Sequence, residues 1–353
     1  MRLEFIERVK EDEILGKNIY TDDGSILLRA GVKLTTNYIK KLKQIGVLYI
    51  YVDDYRLDDV YVEDSRLEEI KMNAMKNISN VVKNINNGDR KATRESISFV
   101  EDMVEHIIEE GDITKSLYDI KTYDNYTYMH SIDTSIMATF LGLSMEFNEL
   151  ELKDLAVGAI LHDVGKTRVP RRIICKKGKL TEDEFDEVKK HPVYGKEMLE
   201  KQFSISHKVL NAIEQHHERI DGKGYPYGLK DKQISKFGKV VAICDVYDAI
   251  SNDRIYRKKF SPNEAYELIL AGNGTMFDQK IVNNFRNTFA VYPLGCCVRL
   301  SNSIEGYVIR QNSKYPDRPV IRILYDSETR KPTPFYEIDL LQNPSLVIEA
   351  IVW

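Results

Sequence analysis

The sequence predicts a multidomain protein in which an all-α helical bundle lies between a small α+β module and a small β-barrel-like module. Its 353 residues are too many for one ordinary domain. From about residue 65 the apolar residues recur at helical spacing, whereas both ends of the chain contain short alternating or apolar runs separated by turn residues. The predicted domains are residues 1–61, 62–290 and 291–353.

Residues 1–61 combine β-rich stretches with one helical pattern. The runs SILLRAGV and VLYIYVDD favour strands, and the turn sequence Asp22–Gly24 favours a hairpin. The segment TTNYIKKLKQIG has helical spacing, and Gly46 fits the end of that helix. This module shows no catalytic residue. Its role stays open between sensing a signal, forming a homodimer and capping the bundle.

The central region, residues 62–290, has the pattern of successive helices. Two of them flank Asn87–Asp89, and further helical patterns cover about 128–144, 149–162, 181–189, 192–201, 206–217, 235–251 and 262–271. A bundle of this kind suits a metal site because inward-facing side chains from several helices converge on one point.

After Tyr292 and Pro293 the pattern changes to CCVRL, GYVIRQ, PVIRILY and LVIEAIVW, broken by Gly306, Pro316 and Pro334. These short runs predict a small β-barrel or sandwich. The module either binds an unidentified signalling partner or packs against the catalytic domain, and packing is the simpler hypothesis.

Composition restricts the class of protein. With 42% hydrophobic and 30% charged residues, and with no signal peptide pattern or long apolar run, the chain is predicted to be cytoplasmic and to lack a membrane span. A net charge of −4 gives no general attraction for DNA, RNA or acidic membranes, so an anionic substrate requires a local positive site. The four cysteines have no CxxC spacing, which favours reduced thiols.

Five of the seven histidines occur in a series with two aspartates, and two doublets are part of it. Neighbouring helix residues point about 100° apart, so both members of a doublet reach one cluster only near a helix end or when two metals lie side by side. The series therefore favours a dinuclear metal site. Its members are His130, His162, Asp163, His191, His216, His217 and Asp245. The surroundings of His106 and His207 are typical of surface positions.

The donor types indicate which metals fit. A site rich in imidazole, containing carboxylates and lacking thiolates favours iron, manganese, zinc or nickel over magnesium and calcium, and iron or manganese is the first expectation. A carboxylate such as Asp163 is able to bridge two ions, which imidazole is not. Two divalent ions and two aspartates leave a charge of about +2, which attracts a phosphodiester. Bound water of lowered pKa then supplies a hydroxide nucleophile near neutral pH.

Groups suited to phosphate lie near this series in the sequence. Lys166 follows His162 by four residues, and Arg254 and Arg257 follow Asp245 by nine and twelve. Arginine binds phosphate in a bidentate manner, although a solvated basic helix end is the alternative reading of these two residues. The loop Asp221–Pro226 has the glycines and the proline of a fixed turn, with a plain connector as its alternative.

The motifs HDVGK, HHERIDGKGYP and DVYDAISNDRIYR resemble the HD-GYP branch of the HD hydrolase superfamily, over about residues 110–290. The resemblance implies a cyclic di-GMP phosphodiesterase that produces linear pGpG, with further cleavage to GMP left open. It also implies that the seven residues of the series are metal ligands and that Asp163 is the bridge.

The same resemblance implies roles for residues around the metals. Lys166, Asp248, Arg254 and Arg257 are implied near the substrate phosphates or the attacking water, so that Asp163, Lys166 and Asp248 form the expected catalytic set. Tyr225 belongs to the Gly-Tyr-Pro element, which shapes the substrate site.

One position departs from the pattern of some relatives. They bind a third metal through a glutamate one helical turn before the first histidine, and Tyr126 stands at that place here. Tyrosine is a poor ligand in this setting, so two metals are predicted rather than three.

Two other functions stay open beside the phosphodiesterase. One is a catalytically weak receptor for a cyclic dinucleotide, and the other is an HD hydrolase of another nucleotide or cyclic dinucleotide. The presence of all seven ligand positions favours an active enzyme, whereas nothing in the sequence specifies guanine.

Overall fold

A computed structural model of the chain describes residues 1–21, 25–60, 65–111, 115–116, 127–176, 178–203, 205–251, 262–326, 329 and 331–352. The chain divides into two compact units. The first contains the described residues of Met1–Asp64, Asp112–Asp124 and Asn287–Trp353, and the second contains those of Ser65–Gly111 and Asn125–Arg286.

The beginning of the chain has the α+β composition that its sequence predicts. Thr35 caps the helix by accepting a hydrogen bond from the backbone N–H of Tyr38, and Gly46 follows the helix end with a φ of +90°. Two antiparallel strand pairs, β1 with β4 and β2 with β3, accompany the helix. The turn predicted at Asp22–Gly24 lies outside the described residues. The elements are β1 Arg2–Phe5, β2 Ile19–Tyr20, β3 Ile26–Leu28, α1 Thr36–Gln44 and β4 Tyr49–Val52.

The end of the chain forms a five-stranded antiparallel sheet, so the prediction of a β-rich module is confirmed. Its strands are β7 Cys297–Leu300, β8 Glu305–Arg310, β9 Val320–Tyr325, β10 Pro332–Asp339 and β11 Ile348–Ile351. Their order is β10-β9-β8-β7-β11. The prediction of a barrel is wrong, because β10 and β11 do not pair with each other within the described part of the chain and the sheet stays open. Alternating patterns predict strands and their faces, but they do not determine whether two edge strands meet.

The two terminal modules share one hydrophobic core. Leu3 and Tyr51 from the start of the chain cluster with Val298 and Ile321 from the five-stranded sheet. Two further short strands, β5 Lys115–Ser116 and β6 Phe289–Ala290, pair in parallel within this unit. The domain boundaries at residues 61 and 290 stay predictions, while the structure adds that the residues on either side of the helical region pack together.

The second unit is helical. Its helices are α2 Ser65–Asn87, α3 Arg90–Ser96, α4 Phe99–Glu110, α5 Thr127–Ser144, α6 Glu149–Leu161, α7 Arg171–Ile174, α8 Glu182–Val188, α9 His191–Gln202, α10 His207–Gln215, α11 Lys236–Ser251, α12 Pro262–Ala271 and α13 Gln279–Thr288. Among these, α3, α7 and α13 were not predicted. Within the described ranges, no helix combines the length and the apolar character that crossing a membrane requires. His207 is exposed as expected, but His106 is buried, so the surface assignment of His106 is wrong.

Close helix packing brings the ends of α6 and α10 together. A Cβ atom on Gly158 of α6 would lie 2.7 Å from the Cβ of Ala212 in α10, so a glycine is needed for this approach. Asn148 and Thr181 each begin a helix with a capping box, in which Glu151 and Glu184 return a side-chain bond to the cap. The capping boxes fix where α6 and α8 start, and the Gly158 contact allows α6 and α10 to pack closely.

Candidate metal centre and active site

The seven side chains of the His and Asp series lie together in the second unit, in two groups. In each group, one potential ligand atom from every member lies within 4.8 Å of the others. His162, His191 and His216 are fully shielded from solvent, and Asp245 is 5% exposed. The first group contains Asp163, His191, His216 and His217, and the second contains His130, His162 and Asp245. Their role as ligands stays a prediction, but the structure brings all seven together.

Three of the imidazoles are fixed by backbone carbonyls at helix ends. The Nδ1 atom of His162 lies 2.6 Å from the carbonyl oxygen of Ala159, and Nδ1 of His216 lies 2.7 Å from that of Ile213. The last carbonyls of a helix have no partner within the helix, so they are available as acceptors. A carbonyl only accepts, so Nδ1 carries the proton and Nε2 presents a lone pair. His191 is held in the same way by Val188, at 2.8 Å.

His130 is held by a carboxylate instead. Its Nδ1 atom lies 2.6 Å from Oδ2 of Asp248, whose side chain is fully buried. Its Nε2 atom lies 3.0 Å from Oδ1 of Asp245. Such a carboxylate on the far nitrogen of an imidazole is the usual partner of a metal-binding histidine, because it fixes the ring and raises its basicity.

The contacts between ligand atoms test whether cations fit this cluster. The Nε2 atoms of His191 and His216 lie only 3.2 Å apart, although each presents a lone pair. Oδ1 of Asp163 lies 3.2 Å from Nε2 of His191, is buried, and has no hydrogen-bond partner among the described residues. Lone pairs and an anionic oxygen facing one another are stabilised by a cation that they share. The residues therefore fit divalent cations, and their N and O donors suit iron, manganese or zinc.

The pKa values of the cluster agree with this arrangement. Burial lowers the pKa of His162, lowers that of His216 strongly, and lowers that of His217 to about 3. Burial opposes ionisation of Asp163, yet the nearby Lys166 ammonium holds the pKa of this carboxyl well below its usual value. Metal ligation requires neutral imidazole and ionised carboxylate, and these groups supply both forms at neutral pH.

The pKa of His130 moves the other way. Its burial acts to lower the pKa, but hydrogen bonds to Asp245 and Asp248 raise it to about 10. A divalent cation would therefore compete with a proton at Nε2 of this residue.

Lys166 lies in a short 3-10 turn, Val164–Arg168, directly after the His162 and Asp163 doublet. Its Nζ atom lies 2.5 Å from Oδ2 of Asp163, and about a third of the side chain is exposed. The turn packs directly on the start of α9, since a Cβ on Gly165 would lie 2.0 Å from the carbonyl oxygen of His191. Gly165 is thus needed to keep Asp163 and His191 in one group.

The loop with the Gly-Tyr-Pro element packs on the His216 and His217 doublet. The ring of Tyr225 lies 4.6 Å from that of His217, centroid to centroid, and its backbone N–H donates to the His217 carbonyl at 3.1 Å. Glu218 is almost fully buried and accepts hydrogen bonds from the backbone N–H groups of Tyr227 at 2.8 Å and Leu229 at 2.9 Å. Glu218 therefore fixes the loop that carries Tyr225.

Three residues discussed in the sequence lie outside the described part of the chain, and some groups that support the site were not predicted. Arg254, Arg257 and Tyr126 lie outside the described residues. Glu218 was not predicted, although its place directly after the doublet was a usable signal. The backbone carbonyls that hold the imidazoles were not predicted either, and a histidine just past a helix end is their signal in the sequence.

A helical unit with buried imidazoles and carboxylates at its helix ends has the arrangement of a metal-binding domain. Residues 120–281 match the HD domain family, and residues 297–352 match a KOW domain associated with HD domains. The second match covers the five-stranded sheet.

Several curated proteins are similar to this chain. "Cyclic di-GMP phosphodiesterase PA4108" of Pseudomonas aeruginosa is 35% identical over 248 residues, which cover 70% of this chain and 60% of that protein. "Cyclic di-GMP phosphodiesterase response regulator RpfG" of Xanthomonas campestris is 38% identical over 151 residues, which cover 42% of this chain and 38% of that protein. The chain thus spans less than two thirds of the length of these relatives.

Among solved structures, Bd1817, an HDG"Y"P protein from Bdellovibrio bacteriovorus, matches 80% of this chain and 97% of its own, with a TM-score of 0.52 and 18% identity. At this identity the likeness shows the fold. The family match thus shows an HD domain at residues 120–281, and the motifs at His162, His216 and Tyr225 within it resemble those of the HD-GYP branch.

Proposed function

We propose that this protein is a metal-dependent phosphodiesterase that hydrolyses cyclic di-GMP to linear pGpG. The observation that carries the proposal is the pair of adjacent ligand groups, one containing Asp163 and the other Asp245, within a single buried cluster. Relatives named as cyclic di-GMP phosphodiesterases support the choice of substrate.

The two groups suit two cations, with Asp163 as the shared ligand. Its Oδ1 atom faces His191 in the first group, and its Oδ2 atom lies 3.5 Å from Nε2 of His162 in the second. The two oxygens of one carboxylate are thus directed to different groups. When bound, a pair of divalent ions supplies positive charge for the phosphoryl oxygens and a hydroxide nucleophile near neutral pH.

The residues of the chain have separate tasks around these ions. Asp248 is a positioning residue, since its carboxylate is buried against His130 rather than turned to a substrate. Lys166 fixes Asp163 and keeps part of its side chain exposed, where its ammonium is available to a phosphate oxygen. Tyr225 shapes the wall beside His217, and Arg254 and Arg257 stay proposed phosphate ligands.

Iron or manganese is the proposed metal, because mixed imidazole and carboxylate donors without thiolate suit both. Two ions are proposed rather than three, because a tyrosine stands at position 126. Further cleavage of pGpG to GMP stays open.

A second candidate substrate has its own support. "3'3'-cGAMP-specific phosphodiesterase 1" of Vibrio cholerae is 31% identical to this chain over 212 residues, covering 60% of this chain and 43% of that protein. The phosphodiester chemistry would be the same, and only the base recognition would differ. A catalytically weak receptor is the remaining alternative.

The test is hydrolysis by the purified full chain, loaded without oxygen with ferrous iron or with manganese. Cyclic di-GMP, 3'3'-cGAMP and cyclic di-AMP are supplied separately, and the products are separated by anion exchange. We expect pGpG to form fastest from cyclic di-GMP. Faster cleavage of another cyclic dinucleotide would change the substrate, and binding without turnover would support the receptor.

Two variants locate the activity. Asp163→Ala should lose most of the bound metal and nearly all turnover, while the exposed control Asp183→Ala keeps both. Retained turnover in Asp163→Ala would contradict the assignment. Arg254→Ala should raise KM and leave the metal content unchanged, whereas a loss of metal would give Arg254 a structural role.

A further inference from the structure

A cavity of about 400 Å³ lies within the first unit and contains no residue of the metal centre. Segment 2–13, Arg56 and strands of the five-stranded sheet form its wall. Its volume lies in the range of small-molecule sites, about 300–1,000 Å³. Because distant parts of the sequence meet here, the cavity is a product of the fold rather than of one loop.

Two guanidinium groups of the wall are held in place. Arg2 contacts Glu13 and lies 3.4 Å from both Glu4 and Asp54. Arg56 donates from Nε to Asp54 at 2.7 Å and contacts the hydroxyl of Tyr325. These contacts preorganise the wall, so a ligand would not have to order it on binding.

The charges of the wall leave two cations without a carboxylate. Glu4 and Glu13 face Arg2, and Glu305 is neutralised by Arg299 at 2.8 Å. Arg8 and Lys10, in contrast, are exposed and form no ion pair within the described ranges. The cavity is therefore locally positive on a chain whose net charge is −4.

Tyr307 adds a neutral donor to this wall. Its side chain is partly buried, and its hydroxyl forms no hydrogen bond with the described residues. Burial raises the pKa of this phenol above its ordinary value, so the hydroxyl keeps its proton at neutral pH. Within the described residues, the wall thus combines a hydroxyl donor that has no hydrogen bond with two cationic side chains that have no ion pair, and this combination matches an oxyanion.

We propose that this cavity binds a small organic oxyanion, a phosphate or carboxylate carried on a body no larger than a mononucleotide. Arg8, Lys10 and Tyr307 contact the oxyanion, and Arg2 and Arg56 form the fixed part of the wall. The first unit thus has a ligand site of its own.

Cys297 provides a local readout, because it lies in the cavity wall and is partly exposed. Cys244 and Cys296 are buried, so replacing the exposed Cys175 by serine leaves Cys297 as the reactive thiol. The rate of its alkylation by iodoacetamide is measured in full-length Cys175→Ser protein. GMP, ribose 5-phosphate and citrate are the anionic probes, and guanosine is the uncharged control.

We expect at least one anion to slow alkylation in a saturable manner and guanosine to have no effect. Stronger protection by GMP and ribose 5-phosphate than by citrate would identify the ligand group as a phosphate, and the reverse would identify it as a carboxylate. When Arg8→Ala and Lys10→Ala are both introduced into the Cys175→Ser protein, the anion concentration needed for half-maximal protection should rise about tenfold or more, because two charged donors are lost. Tyr307→Phe should raise this concentration less, and the exposed pair Lys40→Ala with Lys41→Ala should not change it.

Protection should be equal in chelator-treated and metal-loaded protein, since the metal centre shares no residue with this cavity. The proposal is overturned if none of the three anions protects Cys297, if the variant lacking Arg8 and Lys10 is protected as well as its parent, or if protection requires bound metal.

Discussion

Oδ2 of Asp248 lies 2.6 Å from Nδ1 of His130, and this contact joins two helices that pack against each other, α11 and α5. The hydrogen bond turns Nε2 of His130 towards Asp245, 3.0 Å away. Asp248 therefore acts on the metal centre through the orientation of one imidazole.

Asp248→Asn should weaken metal binding about 10–100-fold, because an amide supplies no negative charge to the imidazole. Titration of the chelated protein with manganese measures the affinity. The exposed Asp183→Asn is the matched control. An unchanged affinity for manganese would mean that Asp248 serves only to pack the helices. A weaker affinity accompanied by a lower melting temperature of the metal-free protein would mean the same.

Glu218→Ala should release the loop that carries Tyr225. Two charge-assisted hydrogen bonds to Tyr227 and Leu229 are lost, each worth about 1.5–3 kcal/mol. We expect faster hydrogen exchange at those two amides and a lower kcat/KM, with the metal content unchanged. Glu200→Ala, at an exposed position of α9, should behave like the parent protein. Normal exchange at both amides would show that other contacts hold the loop.

Asp54→Asn should alter the acid sensitivity of the first unit. Burial acts to raise the pKa of Asp54, but hydrogen bonds from Arg56 lower it below its ordinary value. The ionised carboxylate therefore stabilises the fold above the unfolded pKa of about 3.9, and this stabilisation is lost as the pH falls through the lower folded value.

At neutral pH, amides of Tyr49–Val52 should exchange faster in Asp54→Asn than in the parent protein. The difference should shrink as the pH falls below about 4, where the parent carboxyl also becomes neutral. A difference that stays constant over this range would mean that the charge of Asp54 contributes nothing.

Much of the metal centre follows from the sequence because the doublets occur where helices end. His162 and His216 directly follow the last residues of α6 and α10, as the spacing arguments for a shared cluster require. The carbonyls of Ala159 and Ile213 were missed, since every residue has the same carbonyl and only the position of the histidine just past a helix end indicates which one is available. The buried position of Asp248 likewise depends on how two helices pack.

The fold shows a similar limit. Helix α13 was missed because QKIVNNFRNT places Ile281, Val282 and Phe285 among three asparagines of low helix propensity. Whether the two edge strands of the sheet pair with each other depends on contacts between residues that are far apart in the sequence. The same is true of the core that Leu3 and Val298 share. Periodicity describes one segment at a time, so it does not report which segments meet.

We propose that two cations are held by the two ligand groups that meet at Asp163. Anomalous scattering from crystals of anaerobically purified protein, recorded at the iron and manganese edges, locates any bound iron or manganese. We expect two peaks, one contacting His191, His216 and His217 and the other His130, His162 and Asp245, with Asp163 contacting both. A single peak, a third peak, or metal bound away from these side chains would contradict it.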